Sequence, residues 1–405
     1  MDLDFVRAQF PALQTPWALF DNAGGSLPAR QVIERITEHL STLPVQLGAS
    51  YDLSVRAGAK VDAGRAAAAR LVGATPEEVV LGPSSTSVLN RLARALRPTW
   101  REGDEVIVTD LDHEANVGGW RRLEETGIRV REWPFDLETQ TLRLEDLEPL
   151  LNERTRLVAF THCSNVVGNV HDVAAIAARI REAGALSCVD GVAYAPHRRV
   201  DVRALGVDFY ALSLYKVYGP HIGLLYGRKD CLLEGRSLNH YFYSEDQVPE
   251  KYEPGGICYE LVAGIPGILD YLDALDGRLF EEPAEPEARL DRTFAAIARH
   301  EMDLARPLLG FLAEHPRVTL YGSPEAEAAT RVPTIAFSVE GRRSSEIPEI
   351  LDGQLMAARW GHFYAKRAID RLGLDEWDGV VRVSLVHYNS AGEVLRLVES
   401  LDAVL

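Results

Sequence analysis

The chain has 405 residues, of which 46% are hydrophobic and 25% are charged, a composition typical of a soluble globular enzyme. Its net charge of −17 argues against binding to nucleic acid or to an anionic membrane surface, because both depend on clustered lysine and arginine. The four cysteines form no C-x-x-C pair, the N-terminus lacks the pattern of a signal peptide, and no apolar run is long enough to span a membrane. We therefore expect a cytoplasmic protein without a metal site.

Short apolar runs alternate with helical stretches between residues 77 and 227. The helical stretches include SVLNRLARAL and VAAIAARIREAG, in which apolar residues recur every three to four positions. The apolar runs lack strict polar alternation, as is typical of strands buried on both faces: EVVLG, DEVIVTD, RVREWPF, TRLVAFTHCS, ALSCVDGV, DFYALS and GLLYG. This alternation predicts an α/β fold with a mainly parallel, seven-stranded sheet, in which ligands bind beyond the carboxyl ends of the strands.

An acidic, proline-containing stretch, EEPAEPE, follows at residues 281–287 and indicates a domain boundary. After it come a long helical pattern and two strands, TIAFSVE and VVRVSLVH, with further helices. We expect a large domain of residues 16–280 and a smaller α+β domain formed by residues 1–15 and 281–405.

Polar residues of known catalytic types follow the predicted strands. Ser85 and Thr86 open a helix after VVLGP, while His113, Asp190 and Lys216 each follow a later strand. Together they suit pyridoxal phosphate (PLP), whose aldehyde needs a lysine amine, whose ring nitrogen needs a carboxylate and whose phosphate needs hydrogen-bond donors. Lys216 can supply the amine, Asp190 the carboxylate and His113 a ring that stacks on the cofactor. Ser85 and Thr86 can hold the phosphate at the start of their helix, or simply cap it.

Several segments resemble the class V aminotransferase, or cysteine-desulfurase-like, family over nearly the whole chain. These segments are FDNAGGSLP, LDHEANVGGW, CSNVVGNVHDV, VDGVAYAPHRRVDVRALGVDFYALSLYKVYGP and VVRVSLVHYN. The resemblance implies a PLP-dependent enzyme of fold type I with an amino-acid substrate. It also implies a homodimer whose active sites are shared between subunits.

The resemblance assigns further residues to the cofactor. Besides Lys216, Asp190, His113, Ser85 and Thr86, it implies cofactor contacts from Ser213, from Tyr215 and, across the dimer, from Gly256.

For the substrate, the resemblance implies that Asn165 and Arg382 hold the carboxylate, with Arg359 of a nearby loop beside them. Gly24, in the segment FDNAGG, would let the backbone approach the substrate closely. The alternative for Arg382 is a structural ion pair with a local carboxylate, because an arginine inside an apolar strand needs a partner.

The sequence departs from the family pattern at four positions. Ala193 stands in place of a glutamine that touches the cofactor ring, Tyr215 in place of a histidine, and Gly256 in place of the threonine that crosses the dimer. In the segment ARWGHFYAKR, Tyr364 takes the place of the cysteine on which desulfurases form a persulfide. A phenol cannot attack the substrate sulfur as a thiolate does, and none of the four cysteines lies in this loop.

We therefore predict a lyase that eliminates a β-substituent, in the first place sulfur, from a cysteine-like amino acid without a persulfide cysteine. Lys216 would act as the base, and Tyr364 would donate a proton to the leaving group or act on the second face of Cα. An aminotransferase or an amino-acid epimerase on the same scaffold is the alternative. A non-catalytic PLP-binding protein is the third hypothesis.

Overall fold

The structure is a computed structural model that describes residues 1–405 as three β-sheets surrounded by helices. The strands are β1 (Ala18–Leu19), β2 (Val79–Gly82), β3 (Glu105–Thr109), β4 (Arg129–Trp133), β5 (Thr155–Thr161), β6 (Leu186–Asp190), β7 (Phe209–Ser213), β8 (Gly223–Gly227), β9 (Val318–Tyr321), β10 (Thr334–Val339), β11 (Met356–Ala357), β12 (Arg359–Gly361) and β13 (Val380–Ser384). The α-helices are α1 (Leu3–Ala8), α2 (Arg30–Thr42), α3 (Asp52–Val72), α4 (Ser85–Leu96), α5 (Gly118–Arg121), α6 (Leu144–Leu147), α7 (Val173–Glu182), α8 (Val202–Leu205), α9 (Lys229–Glu234), α10 (Tyr259–Gly264), α11 (Pro266–Leu279), α12 (Pro286–Glu314), α13 (Glu346–Asp352), α14 (Lys366–Arg371) and α15 (Ala391–Val404).

The seven predicted strands form one sheet in the order β2–β8–β7–β6–β5–β3–β4. Neighbours from β4 to β7 pair in parallel, while β8 runs antiparallel to both β7 and β2. Alternate residues of β2 enter different cores, since Val79 and Leu81 pack in the largest apolar cluster and Val80 in a second one. Because both faces are buried, these strands have continuous apolar sequences. The predicted mainly parallel sheet is confirmed.

A smaller antiparallel sheet in the C-terminal part has the order β12–β13–β10–β9, and β1 pairs in parallel with β11. Residues near the N-terminus join this part, because Asp21 forms a bridge with Ser384 and the Asn22 side chain donates to the Ser384 carbonyl (2.9 Å). Asp21 thereby lies beside β13, the strand that carries Arg382. The predicted domain boundaries after residues 15 and 280 stay a prediction.

The helix that follows β2 starts earlier than its apolar pattern indicated. Its cap is Ser84, whose Oγ accepts a hydrogen bond from the Ser87 amide (3.1 Å), so Ser85 and Thr86 lie in the first turn of α4. The capping bond therefore does not come from Ser85 or Thr86. None of the helices combines the length and the apolar composition needed to cross a bilayer.

Candidate active site

The carboxyl ends of the strands of the large sheet bring most of the predicted site residues into one cavity. The predicted residues that line it are Ser85, Thr86, His113, Asn165, Asp190, Ser213, Tyr215 and Lys216. Sequence analysis missed Ser84, Thr161 and Cys163, which also line it. Thr161 and Cys163 both belong to the run TRLVAFTHCS, which was assigned to a strand as a whole, but in the structure Thr161 ends β5 and Cys163 follows it, so both lie at its carboxyl end.

Lys216 lies in the turn after β7 and is only 8% exposed. The hydroxyl of Ser26 fixes this turn, because it donates to the Lys216 carbonyl (2.9 Å) and accepts from the Tyr218 amide (3.0 Å). Burial, followed by the positive charge of Arg382, lowers the pKa of the Lys216 amine to about 8. A useful fraction of the amine is therefore neutral near pH 7, and the neutral amine is the form that attacks an aldehyde.

Asp190 ends β6 and is also buried, with 4% exposure. One carboxylate oxygen accepts a hydrogen bond from the Val192 amide (2.9 Å). Burial raises the pKa of this carboxyl group, while the Val192 amide and the positive charge of Lys216 oppose the rise. A carboxylate in such a place is stabilised by a cation or a protonated ring nitrogen placed against it.

The opposite end of the cavity suits a phosphate. The hydroxyl of Ser213 donates to that of Ser85 (3.0 Å), and α4 begins here with backbone N–H groups that have no partner inside the helix. Strand β8 approaches this point very closely, since a Cβ on Gly223 would come within 2.1 Å of the Ser84 backbone. Only glycine allows β8 to pass so near the start of α4.

His113 forms the wall between the two ends. Its Nδ1 accepts a hydrogen bond from the Ala115 amide (3.0 Å), so the ring proton resides on Nε2. Burial, followed by the positive charges of Lys216 and Arg382, lowers the pKa of His113 to about 3, and the ring is neutral at physiological pH. A neutral imidazole is the form suited to stacking on a cofactor ring.

Arg382 lies on β13 and is 2% exposed. Its Nη1 donates to the Asn165 carbonyl (3.0 Å) and its Nη2 to Asp21 Oδ1 (3.1 Å). The ring of Phe363 lies over the guanidinium, with 3.8 Å between Cζ and the ring centroid. The Asn165 side chain donates to the Phe363 carbonyl (2.9 Å), so in this structure it holds the loop. The structural ion pair considered from the sequence is therefore present.

Asp21, the carboxylate that pairs with Arg382, was also missed by sequence analysis. Besides Arg382, it accepts a hydrogen bond from Arg359 Nη1 through its second oxygen, Oδ2 (3.3 Å). Arg359 and Arg382 face each other across β12 and β13. Gly24 leaves room for this carboxylate, because a Cβ there would lie 3.0 Å from Asp21 Oδ2. The signal for Asp21 was its place in FDNAGG, where only the glycines were considered.

Tyr364 lies in the loop after β12 and is 65% exposed. Its backbone has a positive φ of 61°, and its carbonyl accepts a hydrogen bond from the Glu114 amide (2.7 Å). Its amide donates to His362 Nδ1 (3.0 Å). These bonds anchor the loop so that the Tyr364 and His113 rings lie 5.2 Å apart, centroid to centroid.

Two residues of the loop after Pro254 lie outside this cavity. Gly256 and Cys258 line a neighbouring, largely apolar cavity together with Arg91, His221 and Leu261. Within one chain, Gly256 therefore does not reach the site of Lys216, and its predicted role across a dimer stays a prediction.

All four cysteines are free, and none is poised as a thiolate. Burial raises the pKa of the Cys163 thiol to about 12 and raises those of Cys188 and Cys231 as well. Cys258 is exposed, yet burial of its thiol and a hydrogen bond to Glu260 also raise its pKa. A nucleophilic cysteine needs the opposite shift.

The donor groups of the cavity fit PLP on three counts. A buried amine whose pKa is near neutrality suits the aldehyde, and a buried carboxylate suits the ring nitrogen. The start of a 12-residue helix flanked by hydroxyl groups suits the phosphate.

Comparison with known proteins agrees with this chemistry. The profile of the family described as Aminotransferase class-V matches residues 18–277 and 289–397. An aminotransferase-like protein of Gibberella zeae is 43% identical over 412 residues, covering 100% of this chain and 98% of the relative. A cysteine desulfurase-like protein of Aspergillus flavus is 32% identical and covers 100% of this chain and 91% of the relative. A cysteine desulfurase of Dickeya dadantii is 31% identical and covers 99% and 96%.

Solved structures show the same architecture. The cysteine desulfurase CsdA of Escherichia coli superposes with a TM-score of 0.84 at 27% identity, covering 100% of this chain and 98% of the other. The cysteine desulfurase of Thermococcus onnurineus superposes with a TM-score of 0.88 at 26% identity, covering 99% and 97%. The fold is thus the predicted fold type I. The chain belongs to the class V aminotransferase, or cysteine-desulfurase-like, family and is a PLP-dependent enzyme.

Proposed function

We propose that this enzyme is a lyase that eliminates a β-substituent, in the first place a sulfur group, from a cysteine-like amino acid without a persulfide cysteine. The observation that carries the proposal is Tyr364, which lies beside His113 in the loop where a desulfurase needs its nucleophile. The raised pKa values of all four thiols support it, because each disfavours the thiolate. The desulfurase-like and aminotransferase-like relatives support the broader reaction class.

In this mechanism, PLP supplies the electron sink that makes the substrate Cα–H bond acidic. Asp190 would hold the proton at the ring nitrogen, and the neutral ring of His113 would stack on the cofactor. Ser85, Thr86, Ser213 and Tyr215 would hold the phosphate. Arg382 orients the substrate carboxylate.

Two residues move protons. Lys216, whose amine is largely unprotonated above its pKa of about 8, takes the proton from Cα. The bond between Cβ and sulfur then breaks, the electron pair leaves with sulfur, and the Tyr364 hydroxyl donates a proton to the departing thiolate. Water completes the reaction by releasing pyruvate and ammonia.

A homodimer belongs to the same proposal. Gly256 lies outside the cavity of its own chain, and it lines an apolar cavity with Leu261 and Val262 next to the phosphate end of the site. We infer that a second copy covers this region and receives the backbone of Gly256 at its phosphate site. We place the enzyme in the cytoplasm, as the free thiols suggest.

The experiment that tests the reaction identifies the products that PLP-loaded enzyme forms from L-cysteine and S-methyl-L-cysteine. Equal amounts of pyruvate and ammonia support an eliminating lyase. Alanine from L-cysteine contradicts the proposal, because it requires a persulfide on one of the cysteines. Conversion of the cofactor to its amine form favours the aminotransferase, and solvent deuterium at Cα without elimination favours the epimerase. Absence of any exchange at Cα indicates a non-catalytic PLP-binding protein.

The Tyr364→Phe variant tests the proton donor. We expect pyruvate formation to fall by about 10²-fold, the usual contribution of a positioned acid. The melting temperature should not change, because the side chain is 65% exposed. Tyr226→Phe is the control, since that phenol lies near Arg203 and lines no part of the cavity. Full turnover by Tyr364→Phe would exclude the phenol as the acid.

The pKa of Lys216 predicts how cofactor uptake depends on pH. We expect the rate at which the apo-enzyme takes up PLP to rise about fivefold from pH 7 to pH 8 and less than about twofold from pH 8 to pH 9, because only the neutral amine reacts. His113 does not titrate in this range, since its pKa is about 3. Stopped-flow absorbance of the bound cofactor measures the rate. A rate that still rises tenfold per unit above pH 9 would contradict a lowered pKa.

A further inference from the structure

The guanidinium of Arg382 presents an incomplete fork. A carboxylate binds arginine most strongly through two parallel N–H groups, and Nε and Nη2 lie on the same edge of the group. In Arg382, Nε is buried and has no hydrogen-bond partner, while Nη2 donates to Asp21 Oδ1 (3.1 Å). The other edge is committed through Nη1 to the Asn165 carbonyl (3.0 Å). On the edge formed by Nε and Nη2, Asp21 therefore occupies one of the two donors, Nη2, and Nε stays without a partner.

One face of the guanidinium is covered. Phe363 covers one face at 3.8 Å and is itself 7% exposed. The Asn165 side chain fixes Phe363 by donating to its carbonyl (2.9 Å). Because Nη1 is committed to Asn165, a carboxylate that binds through two parallel N–H groups must use the edge formed by Nε and Nη2, where it meets Asp21.

Asp21 has a second cation to which it can remain bound. Its Oδ2 accepts from Arg359 Nη1 (3.3 Å), and Arg359 is paired opposite Arg382 across the sheet. The Asp21 side chain is 25% exposed, whereas that of Arg382 is 3% exposed. Its backbone is held by the bridge to Ser384, so the movement required is a rotation of the side chain.

We propose that Asp21 is an internal carboxylate that occupies the carboxylate site of Arg382 in the resting enzyme and moves aside, onto Arg359 alone, when the substrate carboxylate binds. Asp21 is thus a positioning residue. It supplies Arg382 with the partner that a buried guanidinium requires while no substrate is present. Arg359 retains Asp21 after the exchange and lowers the cost of displacing it. The inference rests on the proposed use of Arg382 as the carboxylate site.

The test measures the binding of propanoate, a carboxylate without an amino group or leaving group, to the PLP-loaded enzyme by ligand-observed NMR. We expect Asp21→Asn to bind propanoate about tenfold more tightly than the unaltered enzyme, because the competing carboxylate is gone. Arg359→Gln should weaken binding about threefold, because Asp21 then has only Arg382 as its partner. Propanamide should bind all variants equally weakly.

Glu114→Gln is the matched control, since it removes the same charge from a side chain that contacts Arg367 but neither Arg359 nor Arg382. We expect it to change propanoate affinity less than about twofold. Equal tightening by Glu114→Gln and Asp21→Asn would overturn the inference, since charge alone would then explain the effect. The inference would also be overturned if Asp21→Asn bound propanoate no more tightly than the unaltered enzyme does. If Asp21→Asn misfolds, Asp21→Ser takes its place with the same expected tightening.

A further variant separates this inference from the proposed function. Loss of propanoate binding in Arg382→Lys supports Arg382 as the carboxylate site. Both the proposed function and the displacement of Asp21 depend on that site. Propanoate binding that is unchanged in Arg382→Lys overturns that shared premise. Because propanoate cannot react, a failure of the elimination assay alone leaves the displacement of Asp21 intact.

Discussion

Replacing Lys216 by alanine is expected to lower turnover by about 10³-fold or more, because the amine that bonds the cofactor and takes the Cα proton is lost. Pyruvate release measures turnover, and the absorbance of the purified protein reports whether cofactor stays covalently bound. Lys229→Ala is the matched control, since that lysine lies in α9 with a side chain that is 55% exposed. Turnover by Lys216→Ala within tenfold of the unaltered enzyme would contradict the assigned role.

The same variant has a second signature in the apo-protein. The folded pKa of Lys216, about 8, lies below its ordinary value of 10.5, so the unfolded chain binds more protons between these two values. This lysine therefore makes the free energy of unfolding rise as the pH increases from about 8 to 10.5. Lys216→Ala should lose that rise and should be no less stable than the unaltered protein at pH 7. Urea unfolding across this pH range measures it.

Arg382→Lys is expected to lower kcat/KM by about 10²-fold, mostly through KM. A lysine ammonium keeps the charge but cannot offer two parallel donors to a carboxylate. It also gives up contacts with the Asn165 carbonyl and with Asp21, so the free energy of unfolding should fall by about 1–3 kcal/mol.

Steady-state kinetics and thermal unfolding measure the two effects of Arg382→Lys. The matched control is Arg367→Lys, which alters a half-exposed ion pair with Glu114. An unchanged KM in Arg382→Lys would show that the substrate carboxylate binds elsewhere.

Local sequence patterns determined the large sheet and the residues at its edge. Strands buried on both faces have apolar sequences that can be recognised singly, and all seven appear in the structure. Because parallel strands place their carboxyl ends at one edge, the residues that follow them had to meet, and His113, Asp190 and Lys216 do line one cavity. Ser85 at the start of α4 was recognisable because it too follows a predicted strand, although the residue that caps the helix is Ser84.

Only the tertiary structure decided the environment of Arg382. Asp21 and Arg382 are separated by 361 residues, and they meet because β1 and the chain after it bond to β11 and β13. Phe363 lies over the guanidinium in a loop that the Asn165 side chain holds. The position of Tyr364 beside His113 depends on a backbone bond between distant segments, from the Glu114 amide to the Tyr364 carbonyl. Such bonds leave no periodic trace in either segment, because backbone donors and acceptors are the same for nearly every residue type. The sequence by itself thus determined which chemical groups line the cavity, and the folded chain decided which carboxylate pairs with Arg382.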